Sequence, residues 1–218
     1  MTNPDRLTLE ALKAHTARAH VRAEKSGVVA DLLRRRASAE AFTLFLRNLV
    51  PAYAALEEAI ESRASAPPIA FIRFPEVERR AALEGDVAHM AGPDWRNLPL
   101  TPAAQDYAAR IRHVAARQPE LLIAHAYVRY FGDLNGGQIL RRMIGEALNL
   151  PADALRFYDF TGIADMPAFI AQYRAAFERA LDNVADPQAV LAEADSAFAF
   201  NIAVSNETQA FARELPAA

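Results

Sequence analysis

The chain contains no cysteine, which removes disulfides, thiol nucleophiles, iron–sulfur clusters, zinc ribbons and covalent haem attachment from its repertoire. Any metal chemistry falls to histidine and carboxylates. Long apolar runs are also missing: the longest stretch free of charged side chains is Ser196 to Asn206, 11 residues, against the roughly 20 needed to cross a bilayer. No apolar segment of the secretory kind opens the sequence, so the expected location is the cytoplasm. A basic excess is absent as well. With 24 Lys+Arg against 27 Asp+Glu the net charge is −3, which provides no general attraction to nucleic acid or anionic lipid.

What is present is a helical composition. Ala, Leu, Glu and Arg dominate, β-branched runs are scarce, and no Asn-Gly or Asp-Gly turn separates alternating segments, so an all-α, single compact domain over 1–218 is expected. The spacing predicts helices near 8–25, 28–35, 38–63, 75–90, 101–118, 119–150, 166–184 and 187–215. Ser38 caps the third and Thr101-Pro102 starts the fifth, while Pro51 must cost the third one backbone hydrogen bond. Pro75 is expected to begin the fourth.

Glycine is sparse, 8 residues in all, yet Gly132, Gly136 and Gly137 fall within six positions of a helical pattern. Each costs about 1 kcal/mol relative to alanine inside a helix. The flanks Tyr127–Tyr130 and Gln138–Arg142 are both helical in character, which favours a bent continuous helix over two separate ones. Gly132 and Gly136 share a face, suited either to close helix packing or to a planar ligand lying on the backbone. Neither GxxxxGK[ST] nor GxGxxG is present, so nothing supports a nucleotide site. Arg129 and Asp133, at i,i+4, read as a surface ion pair or, in a pocket, as groups that order water.

None of the five histidines has zinc-site spacing. His20 differs from the rest because Lys13 stands two helical turns, roughly 10 Å, before it on nearly the same face, and Glu24 one turn after. An imidazole with a cation at that distance suits a metal macrocycle with carboxylate arms as well as it suits a solvated helix surface.

Taken together, Ala19-His20-Val21-Arg22-Ala23-Glu24 and the run His125 to Gln138 (HAYVRYFGDLNGGQ) resemble the haem oxygenase family. Further agreement follows in order at Tyr53–Glu58, Arg80–Glu84, Pro119–Leu122 and Phe198–Ile202, so the resemblance covers nearly the whole chain. It implies haem as both substrate and cofactor, held between a proximal helix with His20 as iron ligand and a kinked distal helix. Glu24 orients His20, and Gly132 and Gly136 bare the distal backbone. Lys13, Tyr127 and Arg174 meet the propionates, and Phe198 lines the pocket. Ala17 and Ile170 stand where animal enzymes carry lysines, which leaves fewer bonds to fix the haem's in-plane rotation.

The reaction so implied takes dioxygen and external electrons to biliverdin, carbon monoxide and ferrous iron, with cleavage expected at the α-meso carbon. Asp133 anchors the water that delivers protons; Tyr53, Arg129 and Asn201 support it. The donor is a ferredoxin, flavodoxin or reductase, with Arg141, Arg142 and Arg34–Arg36 as a candidate docking patch. A monomer is expected. A haem carrier or sensor that keeps His20 without degrading its ligand is the alternative.

Overall fold

The computed structural model describes residues 6–214. The first residues of the chain and the expected end of the last helix at Leu215 lie outside them. The described residues form nine α-helices and no strand: α1 (Leu9–Glu24), α2 (Gly27–Leu33), α3 (Ala39–Glu61), α4 (Arg80–Ala91), α5 (Pro102–Arg117), α6 (Leu122–Ala126), α7 (Gly132–Leu148), α8 (Met166–Leu181) and α9 (Pro187–Glu214). The expected caps form. Ser38 accepts a hydrogen bond from Ala41 N and Thr101 from Ala104 N, each satisfying an amide the helix leaves free.

α3 is the central element, packed on α4, α5 and α9, while α9 also carries α1, α2 and α6. Its buried side chains include Phe42, Leu46, Leu49, Tyr53 and Leu56, so it is apolar on nearly every side, as a helix enclosed by neighbours must be. The helix continues through Pro51. One buried apolar cluster takes residues from every helix.

Two segments depart from the sequence expectation. The helix expected over 75–90 is a single 3-10 turn at Pro75–Val77, an extended break at Glu78, and then α4 from Arg80. The break arises because Glu57 of α3 caps α4 from across the core: its Oε1 accepts from Arg79 N at 2.6 Å and Arg80 N at 2.9 Å. The expected loop 65–75 likewise holds a 3-10 turn, Ile69–Ile72, with Ile69 and Ile72 buried.

Burial pushes the Glu57 carboxyl up to about 7, with the Arg79 and Arg80 amides and the Arg79 charge pulling the other way and Glu78 adding repulsion. Since the folded state holds that proton more tightly than the unfolded chain, the stabilisation is complete below about 4.5 and is lost as pH rises through 7. This one group contributes a slope of at most about 1.4 kcal/mol per pH unit in that window. Glu57→Gln, which keeps the accepting oxygen and removes the charge, is expected to flatten the dependence of urea unfolding on pH between 5 and 8; an unchanged profile would contradict the cap.

The corner between α1 and α2 is fixed by backbone contact. Gly27 has φ +46°, and a Cβ there would stand 2.1 Å from Ser205 O of α9; only glycine permits the approach. Ser205 Oγ then donates to Ser26 O and accepts from Val29 N, locking α9 to the helix pair. This anchors the end of α1 that follows His20.

Candidate active site

The bend expected between 119 and 150 is realised as one π-helical turn, Tyr127–Phe131, joining α6 to α7 without a break. A π turn inserts a residue into the helical repeat. Arg129 and Asp133 consequently do not form the surface i,i+4 pair considered above. Both are buried, at 7% exposure, and they meet through a third residue. Tyr53 Oη donates to Asp133 Oδ2 at 2.5 Å and accepts from Arg129 Nη2 at 2.8 Å and Nε at 2.9 Å. Arg129 Nη1 also donates to Asn201 Oδ1 of α9. The four residues thus make one continuous hydrogen-bonded chain running from α9 through α3 to α7.

The electrostatics of this chain are those of a buried charge pair around a neutral phenol. Burial raises the Asp133 carboxyl above its usual range, opposed by the Arg129 charge, the Tyr53 hydrogen bond and Arg79. Burial drives the Tyr53 phenol well above 10, so Tyr53 keeps its proton and can donate. Burial alone would lower Arg129, but Tyr53 and Asp133 hold it up and charged. Asp133 Oδ1 takes no protein hydrogen bond among the described residues and remains available to water.

α1 buries Leu9, Leu12, Thr16 and Ala19 and exposes His20. The His20 Nδ1 lies 3.5 Å from Glu24 Oε1, and its ring meets Phe198 edge-on at 6.1 Å. Nδ1 is thereby engaged with Glu24, which leaves Nε2 as the free nitrogen. α1 touches the π turn through Ala19, Ala23, Tyr127 and Val128, and Thr16 Oγ1 is 3.2 Å from Tyr127 Oη. Beyond this contact the α7 backbone is bare. A Cβ on Gly132 would meet nothing within 4 Å, and one on Gly136 only its own helix's Leu140 at 3.8 Å. Of the readings of the glycine cluster, close packing therefore holds only for Gly137, whose Cβ position faces Tyr158 O and Phe160.

Lys13 and Arg174 are exposed, with the Arg174 guanidinium 5.7 Å above the Phe131 ring. Two of the other histidines are engaged elsewhere. His125 is fully buried with Nε2 2.9 Å from Glu193, which Arg110 holds from the other side. His15 pairs with Asp195 at 2.8 Å. Of the candidate docking arginines, Arg141 pairs with Asp159, Arg35 with Glu146 and Arg36 with Asp31. Open surface depressions of about 370 Å³ beside Arg141 and Leu155, and about 590 Å³ beside Arg73 and Glu78, contain no histidine.

Tyr107 was not singled out by the sequence patterns. It is fully buried, stacks on Phe200 at 5.3 Å and lies 5.6 Å from the His125 ring. Burial pushes its phenol up to about 12, with Arg129 opposing and Glu193 and Asp133 adding to the rise, which puts it within electrostatic reach of the Arg129–Asp133 chain. A hydroxyl on an otherwise apolar face of α5 was the available signal.

Gly132 and Gly136 lead to a direct test of whether the bare backbone serves the fold or a ligand. Gly136→Ala fills empty space in a helix, so it is expected to stabilise the ligand-free protein by about 1 kcal/mol while weakening hemin binding several-fold. Paired melting and hemin titration check this; lower stability with unchanged hemin affinity would overturn it.

An exposed imidazole on α1, which packs on the π turn, and bare helix backbone just beyond that turn at Gly132 and Gly136 are features that suit a flat ligand lying between two helices. The sequence model of the family described as Heme oxygenase matches residues 7–207, and the chain belongs to that family. It is 41% identical over 209 residues to heme oxygenase 1 of Rattus norvegicus, covering 94% of this chain and 72% of that one. It is 36% identical over 200 residues to heme oxygenase 1 of Nostoc, covering 91% and 84%. Among solved structures, heme oxygenase-1 of the cyanobacterium Synechocystis in complex with heme superposes with a TM-score of 0.86 at 35% identity, covering 93% of this chain and 92% of that one. The chain is a haem oxygenase, and haem is its substrate.

Proposed function

We propose that this enzyme binds haem with His20 Nε2 on the iron and opens the ring at the α-meso carbon. It uses dioxygen, with electrons from a ferredoxin, flavodoxin or reductase, and yields biliverdin. The observation that carries this reading is a histidine with an uncommitted nitrogen on α1, which packs on the π turn, together with the bare backbone of Gly132 and Gly136 directly after that turn. Bound haem supplies the iron that activates dioxygen and the ring that is cleaved. The protein supplies position and protons.

Glu24 on Nδ1 favours the tautomer that leaves Nε2 bare and sets the ring's rotation. Lys13, Tyr127 and Arg174 hold the carboxylate edge of the substrate, and Phe198 supports the imidazole. Asp133, fixed by Tyr53, offers its free oxygen to a water near the distal face; Arg129 and Asn201 fix Tyr53 in turn. A water so held donates a proton more gently than a strong acid in direct contact. No described helix is long and apolar enough to cross a membrane.

The test is chromatography of the pigment extracted after turnover of a stoichiometric hemin complex, supplied in parallel with reduced ferredoxin, reduced flavodoxin or a flavoprotein reductase. A single α-isomer is expected. A mixture of isomers would overturn the regiochemistry, and turnover with none of the three donors would overturn the electron source.

A further inference from the structure

Arg79 is a buried cation whose placement the reaction scheme leaves unused. It is 9% exposed, and no carboxylate lies within ion-pair distance among the described residues. Its donors all go to backbone carbonyls: Nε to Glu78 O at 2.6 Å, Nη1 to Asp159 O at 2.8 Å and Nη2 to Glu76 O at 3.1 Å. The guanidinium plane lies 4.1 Å from the Phe160 ring centre. A buried charge held only by carbonyls is costly, so something must be gained from it.

The gain lies in what the segment 158–160 does on its other side. Tyr158 O and the Phe160 ring face Gly137 of α7, at 3.5 and 3.7 Å from its Cβ position. Tyr158 O also accepts from Gln138, and Asp159 Oδ2 pairs with Arg141 of α7 at 2.8 Å. The segment is therefore a strap with Arg79 on one side and contacts to one helical turn of α7, Gly137 to Arg141, on the other. Its beginning is tied down separately, by Asp86 accepting from Arg156 N and Phe157 N.

We propose that Arg79 is a positioning residue for haem cleavage: it clamps the 158–160 strap onto Gly137, Gln138 and Arg141 and so fixes the distal helix that carries Asp133, Gly132 and Gly136 over the substrate. The inference rests on the haem-cleaving function. The same guanidinium also contributes to the field at Asp133. The groups facing that carboxylate are Tyr53 of α3, Arg129 of the π turn and Arg79, with Tyr107, Tyr158 and Tyr173 in the surrounding shell.

The test compares wild type, Arg79→Gln and Arg79→Lys as hemin complexes, with the ligand-free proteins checked by thermal unfolding. Arg79→Gln is expected to bind hemin within about threefold of wild type. Loss of one nearby positive charge should raise the pH midpoint of the ferric haem's acid-to-alkaline spectral change by about half a unit. Biliverdin recovered per haem consumed should fall several-fold at unchanged KM. Arg79→Lys keeps the charge but cannot span three carbonyls, so it restores the midpoint and not the yield. A folded Arg79→Gln protein with wild-type midpoint and yield would overturn the proposal.

If Arg79→Gln does not fold, Phe160→Leu removes the layer between the guanidinium and Gly137. It should lower the yield alone, and an unaffected yield would overturn the proposal equally. Absence of biliverdin from wild type would instead count against the function and not against Arg79.

Discussion

Replacing His20 with alanine is expected to abolish the normal axial ligation of haem and to reduce biliverdin formation by about a hundredfold or more, roughly 2.7 kcal/mol of barrier. The size of the effect follows from where the other four histidines stand: His113 is on α5, which is not among the elements packed on α1. His15 is engaged with Asp195, His125 is sealed in the core with Glu193, and His89 sits beside Asp153. The fold itself should be little affected, because the His20 side chain is 59% exposed and contributes only the Glu24 pair and an edge contact with Phe198. Added imidazole can enter the vacated space and should restore the ligated spectrum and part of the turnover. Turnover unaffected by the substitution would remove His20 from the account.

Asp133→Ala has the second largest effect, of a different kind. Haem should still bind, since His20 and the propionate contacts are untouched, but biliverdin per haem consumed should drop about tenfold or more as oxygen is diverted into unproductive peroxide chemistry. The variant strips Tyr53 Oη of its acceptor inside the core and leaves Arg129 without its nearest compensating carboxylate. A stability loss of about 1–3 kcal/mol should accompany the chemical one. Asp133→Asn separates the two: it preserves an acceptor for Tyr53 and so most of the stability, but a neutral amide cannot hold the same water with the same field. Full biliverdin yield from both variants would exclude Asp133 from proton delivery.

How much of this was legible in the sequence depends on whether the governing interaction is local. Caps at Ser38 and Thr101, the helical tiling, and the bend near the glycine cluster were readable because side chains within a few residues set them. The start of α4 was not, because the residue that ends the extended break is Glu57 on another helix. The glycine cluster was legible as an anomaly. Which glycine packs and which stays bare depends on Tyr158 and Phe160, some twenty residues away.

The same limit applies within the site. Tyr53, Arg129, Asp133 and Asn201 could be named through resemblance, yet their order, with Tyr53 as the joint between the two charges, comes from three elements meeting in space. Arg79 had no local signature at all: in sequence it is one arginine of a charged Glu78-Arg79-Arg80 run, and only the fold shows that Arg79 turns inward while Arg80 pairs with Glu58 and Glu84 on the surface.

The most direct test of the central claim is the absorption spectrum of the protein with one equivalent of hemin, followed as a reducing system is added in air. The Soret band is expected to decay as a broad red-region band grows, with the pigment extractable as biliverdin. A Soret band that persists under the same electrons and oxygen would contradict it and mark the chain as a haem carrier.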